Sequence, residues 1–274
     1  MRSFRILILF ALVAQAVAGL TVSSASAGKS PAKGVSAANV DGVTAALADV
    51  GAGWYYTWAS NPQGIKAPRG VEFVPMIWGS RSVNDAQLKE AKAGGTTLLG
   101  FNEPDMAGQA NMSVEQALAL WPRLQATGMR LGAPAVAFGA DRPGGWLDRF
   151  ISGAAARGHR VDFIPLHWYG GDFSSAATGQ LQRYLQAVHD RYHKPIWLTE
   201  YALIDFSGRT PVYPSEQQQT DFVRRSTAML RGMPFVERYA WFTLSTKTSR
   251  TGLYTGATAN ASGAAYRSAT PARA

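Results

Sequence analysis

Short apolar or β-branched segments recur along the chain and alternate with longer amphipathic segments. Eight of the short segments are almost continuously apolar, which is typical of strands that are buried on both faces of a parallel sheet. They cover residues 33–36, 53–58, 72–78, 96–103, 130–137, 161–169, 195–201 and 238–243. The pattern therefore predicts an α/β protein with eight strands.

Helix signals lie between several of these strands. Ser113 and Ser215 each precede a glutamine by three positions, and each opens a run with helical spacing, which is the pattern of a capping box. Residues 82–93 form a third helical run that ends at a glycine pair, a common helix stop. Residues 146–156 and 180–192 place their large apolar side chains on one helical face. Strands and helices therefore alternate.

The first 27 residues differ from the rest of the chain. Arg2 and Arg5 precede an apolar run over residues 6–17, and the small-residue site 25–27 (Ala-Ser-Ala) follows. This order is typical of a secretory signal peptide that is cleaved, here after Ala27, with Ala18 as the alternative site. We therefore expect a secreted, extracellular protein in which residues 28–274 form a single domain. No other apolar run is long enough to span a bilayer, so no membrane attachment is expected after cleavage.

The remaining chain, divided among eight strands, gives repeats of about 31 residues, the length of one βα unit. A closed (β/α)8 barrel, or TIM barrel, is the simplest fold with eight such units. Residues 60–70 are rich in turn formers and lack a helical period, so a loop should replace the second helix. The tail after residue 243 is rich in Thr, Ser, Gly and Ala, so the last helix should be short, with disorder beyond about residue 268.

The amino-acid composition and the absence of certain motifs exclude several classes of function. The 274 residues are 46% hydrophobic and 16% charged, with no cysteine and a net charge of +9. The apolar fraction predicts a folded domain whose stability comes from its core, and the missing thiol excludes a cysteine nucleophile. The basic residues are scattered, so nucleic-acid binding is not expected. Gly-x-Ser-x-Gly and phosphate-loop patterns are absent, which removes the usual support for an esterase or a nucleotide-binding protein.

Functional side chains of a TIM barrel stand at the carboxyl ends of its strands. Asn102, Glu103 and Pro104 directly follow the apolar part of the fourth predicted strand, and Glu200 occupies the equivalent place on the seventh. Both glutamates should therefore face the same barrel mouth from opposite sides. Two carboxyl groups across a cleft are what acetal hydrolysis needs, because one protonates the leaving oxygen while the other attacks the sugar or activates water.

Aromatic side chains crowd the same strand ends. A sugar presents apolar C–H faces, so an exposed aromatic ring at the mouth can serve as a stacking platform. We expect platforms at Trp78, Trp168 and Trp241, with Tyr201 also at the substrate, whereas Trp58 could equally belong to the core. The other tryptophans fall in mid-strand or on helices and are expected in the core; they are Trp54, Trp121, Trp146 and Trp197.

Four segments together resemble glycoside hydrolase family 128, a group of β-1,3-glucanases that includes the fungal alkali-sensitive-linkage proteins. They are residues 99–105 (LGFNEPD), 166–170 (LHWYG), 197–201 (WLTEY) and 239–242 (YAWF). The resemblance extends from about residue 33 to 254. It implies a retaining β-1,3-glucanase on a (β/α)8 barrel that acts on β-glucan by double displacement.

The resemblance also implies roles for particular residues. Glu103 would be the general acid and base, Glu200 the nucleophile and Asn102 the donor to the sugar 2-hydroxyl, while Tyr169 would hydrogen-bond Glu200. His167 stands beside them and could be either a buried structural residue or a substrate ligand. Two alternatives stay open: a non-catalytic carbohydrate-binding barrel, and a retaining β-glycosidase with another linkage specificity.

No cofactor or metal is expected. His189 and His193 have the i, i+4 spacing of metal ligands, but the sequence offers no third ligand and the pair falls at a predicted helix end. A solvated helix terminus explains these residues better. The expected partner is a polysaccharide or oligosaccharide substrate, and the protein is expected to be a monomer.

Overall fold

Eight parallel strands carry the fold. The computed structural model describes residues 32–269, so the predicted signal peptide lies outside the described residues. The strands are β1 (Ala32–Ser36), β2 (Trp54–Tyr56), β3 (Glu72–Phe73), β4 (Thr97–Leu98), β5 (Arg130–Leu131), β6 (Ile164–Gly170), β7 (Ile196–Leu203) and β8 (Val236–Trp241). Each lies within one of the eight predicted apolar segments or overlaps it.

The strands follow one another around a ring. Six form one sheet in the order β3-β2-β1-β8-β7-β6, and β4 pairs with β5. Parallel bridges join this pair to the larger sheet on both sides, between Met76 and Leu99 and between Gly132 and Phe163. The ring is thus connected partly by single bridges rather than by continuous ladders. The predicted (β/α)8 architecture is confirmed.

Seven α-helices accompany the strands in the described residues. They are α1 (Val43–Asp49), α2 (Asp85–Gly94), α3 (Val114–Gln125), α4 (Trp146–Ala156), α5 (Ala176–Tyr192), α6 (Glu216–Arg231) and α7 (Ala261–Ser268). Ser215 forms a complete capping box at α6, and the Ser113 side chain accepts the third backbone N–H of α3. As predicted, no helix lies between β2 and β3, and the last helix has only 8 residues. None of these helices is long and apolar enough to cross a membrane.

Two elements were not predicted. Helix α1 lacks a side-chain cap, because its N-cap is Gly42 with φ 82°, so no start signal marks it. An antiparallel hairpin of β9 (Tyr254–Thr255) and β10 (Thr258–Ala259) lies between β8 and α7. Its strands are only two residues long, too short for an alternating pattern. Most of the predicted disordered tail falls outside the described residues.

The core has two parts. A larger cluster fills the space between strands and helices, and a smaller one fills the barrel interior. The interior cluster consists of Trp54, Tyr56, Val74, Met76, Leu99, Phe163, Trp197 and Ala240. Trp54, Trp121 and Trp197 are wholly buried, as predicted. Trp146 is partly buried and stacks on Phe150, with ring centroids 5.6 Å apart.

Charged side chains close the end of the barrel where the strands begin. The Arg238 guanidinium lies 4.2 Å from the centre of the Trp197 ring and 2.7 Å from Glu72. Arg130 pairs with Glu237 at 2.7 Å, and Glu237 accepts the Trp197 indole N–H. We call these five residues the barrel floor. With the floor closed in this way, the opposite end is left for a functional cleft.

Candidate active site

Glu103 follows β4 in an unusual backbone conformation. Its φ is +44°, in the left-handed region that few non-glycine residues adopt. Two backbone hydrogen bonds hold it there, from Glu103 N–H to Ala135 O (2.7 Å) and from Met106 N–H to Glu103 O (3.1 Å). Such conformations cost about 1–3 kcal/mol and persist where the surroundings enforce them. The buried carboxyl group of Glu103 is thereby fixed at the barrel mouth.

Glu200 lies within β7, and both of its carboxylate oxygens accept hydrogen bonds. Oε1 accepts from the Trp58 indole N–H (2.8 Å) and from the Tyr56 hydroxyl (3.0 Å), and Oε2 accepts from the Tyr169 hydroxyl. Burial, followed by the charge of Glu200, raises the pKa of both tyrosines well above its ordinary value. The two hydroxyls therefore stay protonated and act as donors to a carboxylate.

His167, on β6, lies between the two glutamates. Its Nδ1 is 2.8 Å from Glu103 Oε1 and 3.6 Å from Glu200 Oε2. Burial lowers the pKa of His167, but the charges of Glu200 and Glu103 and the hydrogen bond to Glu103 outweigh it, so the pKa is raised overall. The site thus places an imidazole that readily takes up a proton between two acidic groups.

This trio also has the composition of a metal site. One donor atom each from Glu103, His167 and Glu200 lies within 4.8 Å of the other two. However, both oxygens of Glu200 already accept hydrogen bonds from neighbouring donors, and His167 Nδ1 is hydrogen-bonded to Glu103. A cation would have to replace these hydrogen bonds, so the arrangement suits proton transfer better. That no metal or cofactor takes part stays a prediction.

Polar groups on the loops after β4 and β5 complete this side of the site. Asn102 Nδ2 donates to Gln109 Oε1 at 3.4 Å. Asp105 Oδ1 accepts the Ala137 backbone N–H (2.9 Å), which ties the two loops together. Burial raises the pKa of Asp105, although this hydrogen bond acts in the opposite direction. The loops that carry Glu103 and the adjoining wall are therefore held in a fixed relation.

These groups open into a cleft of about 830 Å³. Its lining residues are Trp58, Trp78, Asn102, Glu103, Met106, Gln109, Ala137, Phe138, Tyr169, Glu200, Phe206, Phe242 and Thr248. Most are apolar or aromatic, and the two glutamates are the only carboxylates among them. The cleft therefore combines apolar walls with an acid pair.

Comparison with known proteins decides the family. The sequence model of the glycosyl hydrolase catalytic core matches residues 34–267. An endo-β-1,3-glucanase of glycoside hydrolase family 128, subgroup I, from Amycolatopsis mediterranei is 76% identical, with a TM-score of 0.87 over 87% of this chain and 99% of that one. The chain belongs to glycoside hydrolase family 128.

More distant members of family 128 match as well. A subgroup II endo-β-1,3-glucanase from Sorangium cellulosum is 29% identical, with a TM-score of 0.75 over 88% of this chain and 100% of that one. Alkali-sensitive linkage protein 1 of Schizosaccharomyces pombe is 34% identical over an alignment of 206 residues that covers 72% of this chain. The match spans only 35% of that longer protein.

The site of this family 128 hydrolase contains several of the residues predicted from sequence. Asn102, Trp78 and Tyr169 line the cleft with the two glutamates. Trp58, left undecided by the sequence, also lines it. His167 is buried and contacts both glutamates rather than forming part of the wall.

Three of the predicted substrate residues lie elsewhere. Tyr201 and Trp241 are wholly buried and pack against each other, with ring centroids 5.0 Å apart. Trp168 stacks on Phe222 of α6 at 5.7 Å. Side chains alternate along a strand, so the neighbours of the inward-facing Tyr169, Glu200 and Ala240 must face the helices. A position at a strand end therefore does not by itself place a side chain in the cleft.

Other cleft residues gave no signal in the sequence. Met106, Phe138 and Phe206 are large exposed hydrophobic residues on loops, and Gln109 lies on the same loop as Met106. Loops have no periodicity from which an orientation could be inferred. Tyr56, a donor to Glu200, lies in an apolar strand segment, and its sequence context does not show that its hydroxyl group has a polar partner.

Proposed function

We propose that the protein is an endo-acting, retaining β-1,3-glucanase. The observation that carries the proposal is the pair Glu103 and Glu200 at the base of a cleft with aromatic walls. The linkage is supported by the Amycolatopsis mediterranei enzyme, an endo-β-1,3-glucanase solved in complex with laminaritriose. A shared family and 76% identity over nearly the whole of that chain make the same substrate class the best assignment.

In the first step, Glu200 attacks the anomeric carbon while protonated Glu103 donates its proton to the leaving glycosidic oxygen. The C–O bond breaks and a covalent glycosyl ester forms on Glu200. In the second step, Glu103 takes a proton from water, the resulting hydroxide attacks the anomeric carbon, and Glu200 leaves as a carboxylate. Asn102 would donate to the sugar 2-hydroxyl, where hydrogen bonds strengthen in the transition state.

The distance between the acids supports retention. One carboxylate oxygen of Glu103 lies within 4.8 Å of one of Glu200. Retaining enzymes hold their carboxyl groups about 5–5.5 Å apart, whereas inverting enzymes leave about 6.5–9.5 Å for a water molecule. The closer spacing favours direct attack by Glu200.

The related structures supply a second line of support. Two different glutamates of the Amycolatopsis mediterranei enzyme have each been replaced by alanine in complexes with laminari-oligosaccharides. They lie as far apart in that sequence as Glu103 and Glu200 do here.

Product analysis on defined polysaccharides tests the substrate and the stereochemistry. We expect release of oligosaccharides of mixed length from linear β-1,3-glucan, with the β-anomer appearing first in proton NMR spectra recorded before mutarotation. An initial α-anomer would overturn the mechanism. Cleavage of β-1,4-glucan or mannan with β-1,3-glucan untouched would overturn the linkage, and binding without cleavage would favour a non-catalytic carbohydrate-binding barrel.

Substitution of each glutamate tests the two roles. Glu103→Ala and Glu200→Ala should each lose at least about 100-fold in kcat on glucan, while exposed Glu115→Ala on α3 keeps the wild-type rate. Azide should rescue both variants with an activated aryl β-glucoside, giving the α-glycosyl azide with Glu200→Ala and the β-azide with Glu103→Ala. The same azide anomer from both variants would contradict the assignment.

We also infer that the protein is exported, with cleavage after Ala27. The basic start, the apolar run and the small residues at 25–27 support this inference, and an extracellular location suits an enzyme that acts on a polysaccharide. Amino-terminal sequencing of the secreted protein should begin at Gly28. Secreted protein that begins at Met1 would contradict the signal.

We propose that the secreted domain is a monomer that binds β-glucan and has neither a nucleic-acid nor a membrane partner. The described surface exposes four large hydrophobic residues, and three of them, Met106, Phe138 and Phe206, belong to the cleft. Little apolar surface is left for a subunit interface. Light scattering should give the mass of one chain, and a dimer mass at micromolar concentration would refute this.

A further inference from the structure

The groups that donate hydrogen bonds to Glu200 differ in how many acceptors each can reach. Tyr56 has one hydroxyl proton but two acceptors in reach, Glu200 Oε1 at 3.0 Å and Thr199 O at 3.1 Å. The Trp58 indole N–H is a donor only, and Oε1, at 2.8 Å, is its acceptor in the described structure. Trp58 is therefore the donor that fixes the position of Oε1.

The donors to Glu200 are also uncharged. In the part of the chain that the structure describes, no arginine or lysine forms an ion pair with Glu200, and the nearest basic group is His167 at 3.6 Å. Neutral donors must therefore supply most of the directional stabilisation of this carboxylate. A single well-placed N–H then contributes a large part of the stabilisation of the Glu200 carboxylate.

The backbone and neighbours of Trp58 hold its ring in place. Its φ is +57°, a conformation that a bulky residue rarely adopts. Its ring packs edge-on against Tyr56 and Phe242, with centroid distances of 5.3 and 6.0 Å. Trp58 also lines the cleft. A sugar that packs on the indole ring would restrict the same N–H that contacts Glu200.

We propose that Trp58 is a positioning residue for the nucleophile, which aims Glu200 through its indole N–H while its ring forms part of the cleft wall. The proposal rests on the nucleophilic role of Glu200 under the proposed function. Trp58 then contributes to the attack on the anomeric carbon. A residue that only stacked against the sugar would not.

Trp58→Phe separates the two parts, because phenylalanine keeps an aromatic wall and removes the N–H. A hydrogen bond to a charged group corresponds to about 10- to 100-fold in rate. We expect kcat on β-1,3-glucan to fall by this factor with KM changed less than threefold. Trp146→Phe is the matched control, because it also removes an indole hydrogen bond, to Met112 O (2.9 Å), but outside the cleft. It should keep the wild-type kcat.

Covalent trapping isolates the attack by Glu200. The probe is a dinitrophenyl 2-deoxy-2-fluoro-β-laminaribioside, whose leaving group needs no protonation by Glu103. Trp58→Phe should be trapped about 10- to 100-fold more slowly than wild type. Equal trapping rates would overturn the positioning role while leaving the proposed function intact. A wild-type enzyme that is not trapped and does not cleave β-1,3-glucan would instead refute the proposed function.

A measurement that does not require Trp58→Phe to fold addresses the contact itself. Indole N–H resonances of ¹⁵N-tryptophan-labelled protein report hydrogen bonding directly. Glu200→Ala should move the Trp58 resonance upfield and leave that of Trp146 in place. An unmoved Trp58 resonance would show that the indole N–H does not donate to Glu200, and the proposal would fail.

Discussion

His167 is the residue through which the two acids of the site interact. Its ring lies within hydrogen-bonding distance of Glu103 and close to Glu200, and it is wholly enclosed by protein. Burial alone would favour neutral imidazole, so the raised pKa depends on the two negative charges. The proton on His167 is therefore sensitive to any change in either carboxylate.

Removing one of those charges should lower the pKa of His167. We expect histidine NMR titration to show the His167 imidazole losing its proton at lower pH in Glu200→Gln than in wild type, while Glu115→Gln, at an exposed position on α3, causes no shift. In wild type the folded pKa exceeds the unfolded value of about 6.5, so the stability due to protonated His167 is complete below that pH and is lost as pH rises through the folded value. Identical titration of wild type and Glu200→Gln would refute this coupling.

Single functional residues could be predicted where an uncommon polar residue type stands at the end of an apolar strand. Glu103, Glu200 and Asn102 met this condition. The orientation of Tyr201 and Trp241 could not be obtained in the same way. A residue one position further along a strand points its side chain to the helix layer instead of the cleft. Phe138 and Phe206 were out of reach, since their loops are positioned by tertiary contacts.

At the scale of elements, local signals located most helices and strands. The serine caps of α3 and α6 and the apolar face of α4 are properties of a few neighbouring residues, so the sequence displays them directly. The ladders β4 and β5 are only two residues long within predicted runs of eight. Their extent depends on bridges to distant segments, such as that between Asn102 and Ala135, which local patterns do not specify.

The barrel floor joins strands through charge and aromatic stacking together. Arg238→Ala would remove both the contact with the Trp197 ring and the ion pair with Glu72. We expect the free energy of unfolding to fall by about 1–2 kcal/mol in urea titration. Arg238→Lys should recover only part of this, because an ammonium group does not stack as a guanidinium does. Arg224→Ala, which removes a solvent-exposed pair with Asp221, should change stability by less than about 0.5 kcal/mol, and equal losses for Arg238 and Arg224 would contradict this account.

For the whole molecule, the first strand and the last helix are fastened together. Lys33 Nζ donates to Tyr266 O (2.8 Å) and to Arg267 O (3.2 Å), and the Tyr266 hydroxyl donates to Gly34 O (2.6 Å). Burial lowers the pKa of Lys33 to about 8, and the carbonyls at the end of α7 compensate part of the cost of its charge. The repeat length predicted the ring, but a contact between residues more than 230 positions apart has no local signature.

Because this fastening lies at the start of β1, both ends of the described chain leave the molecule on the side away from the cleft. A surface attached there should not obstruct a polymer at the mouth. The sequence contains no cysteine, so a single introduced thiol directs the attachment. Ala269→Cys coupled to maleimide beads should keep most of its activity on soluble glucan, whereas Phe138→Cys, coupled at the rim, should lose it. The position of the introduced thiol would then determine how the enzyme is oriented on the support. Equal activity of the two conjugates would contradict this expectation.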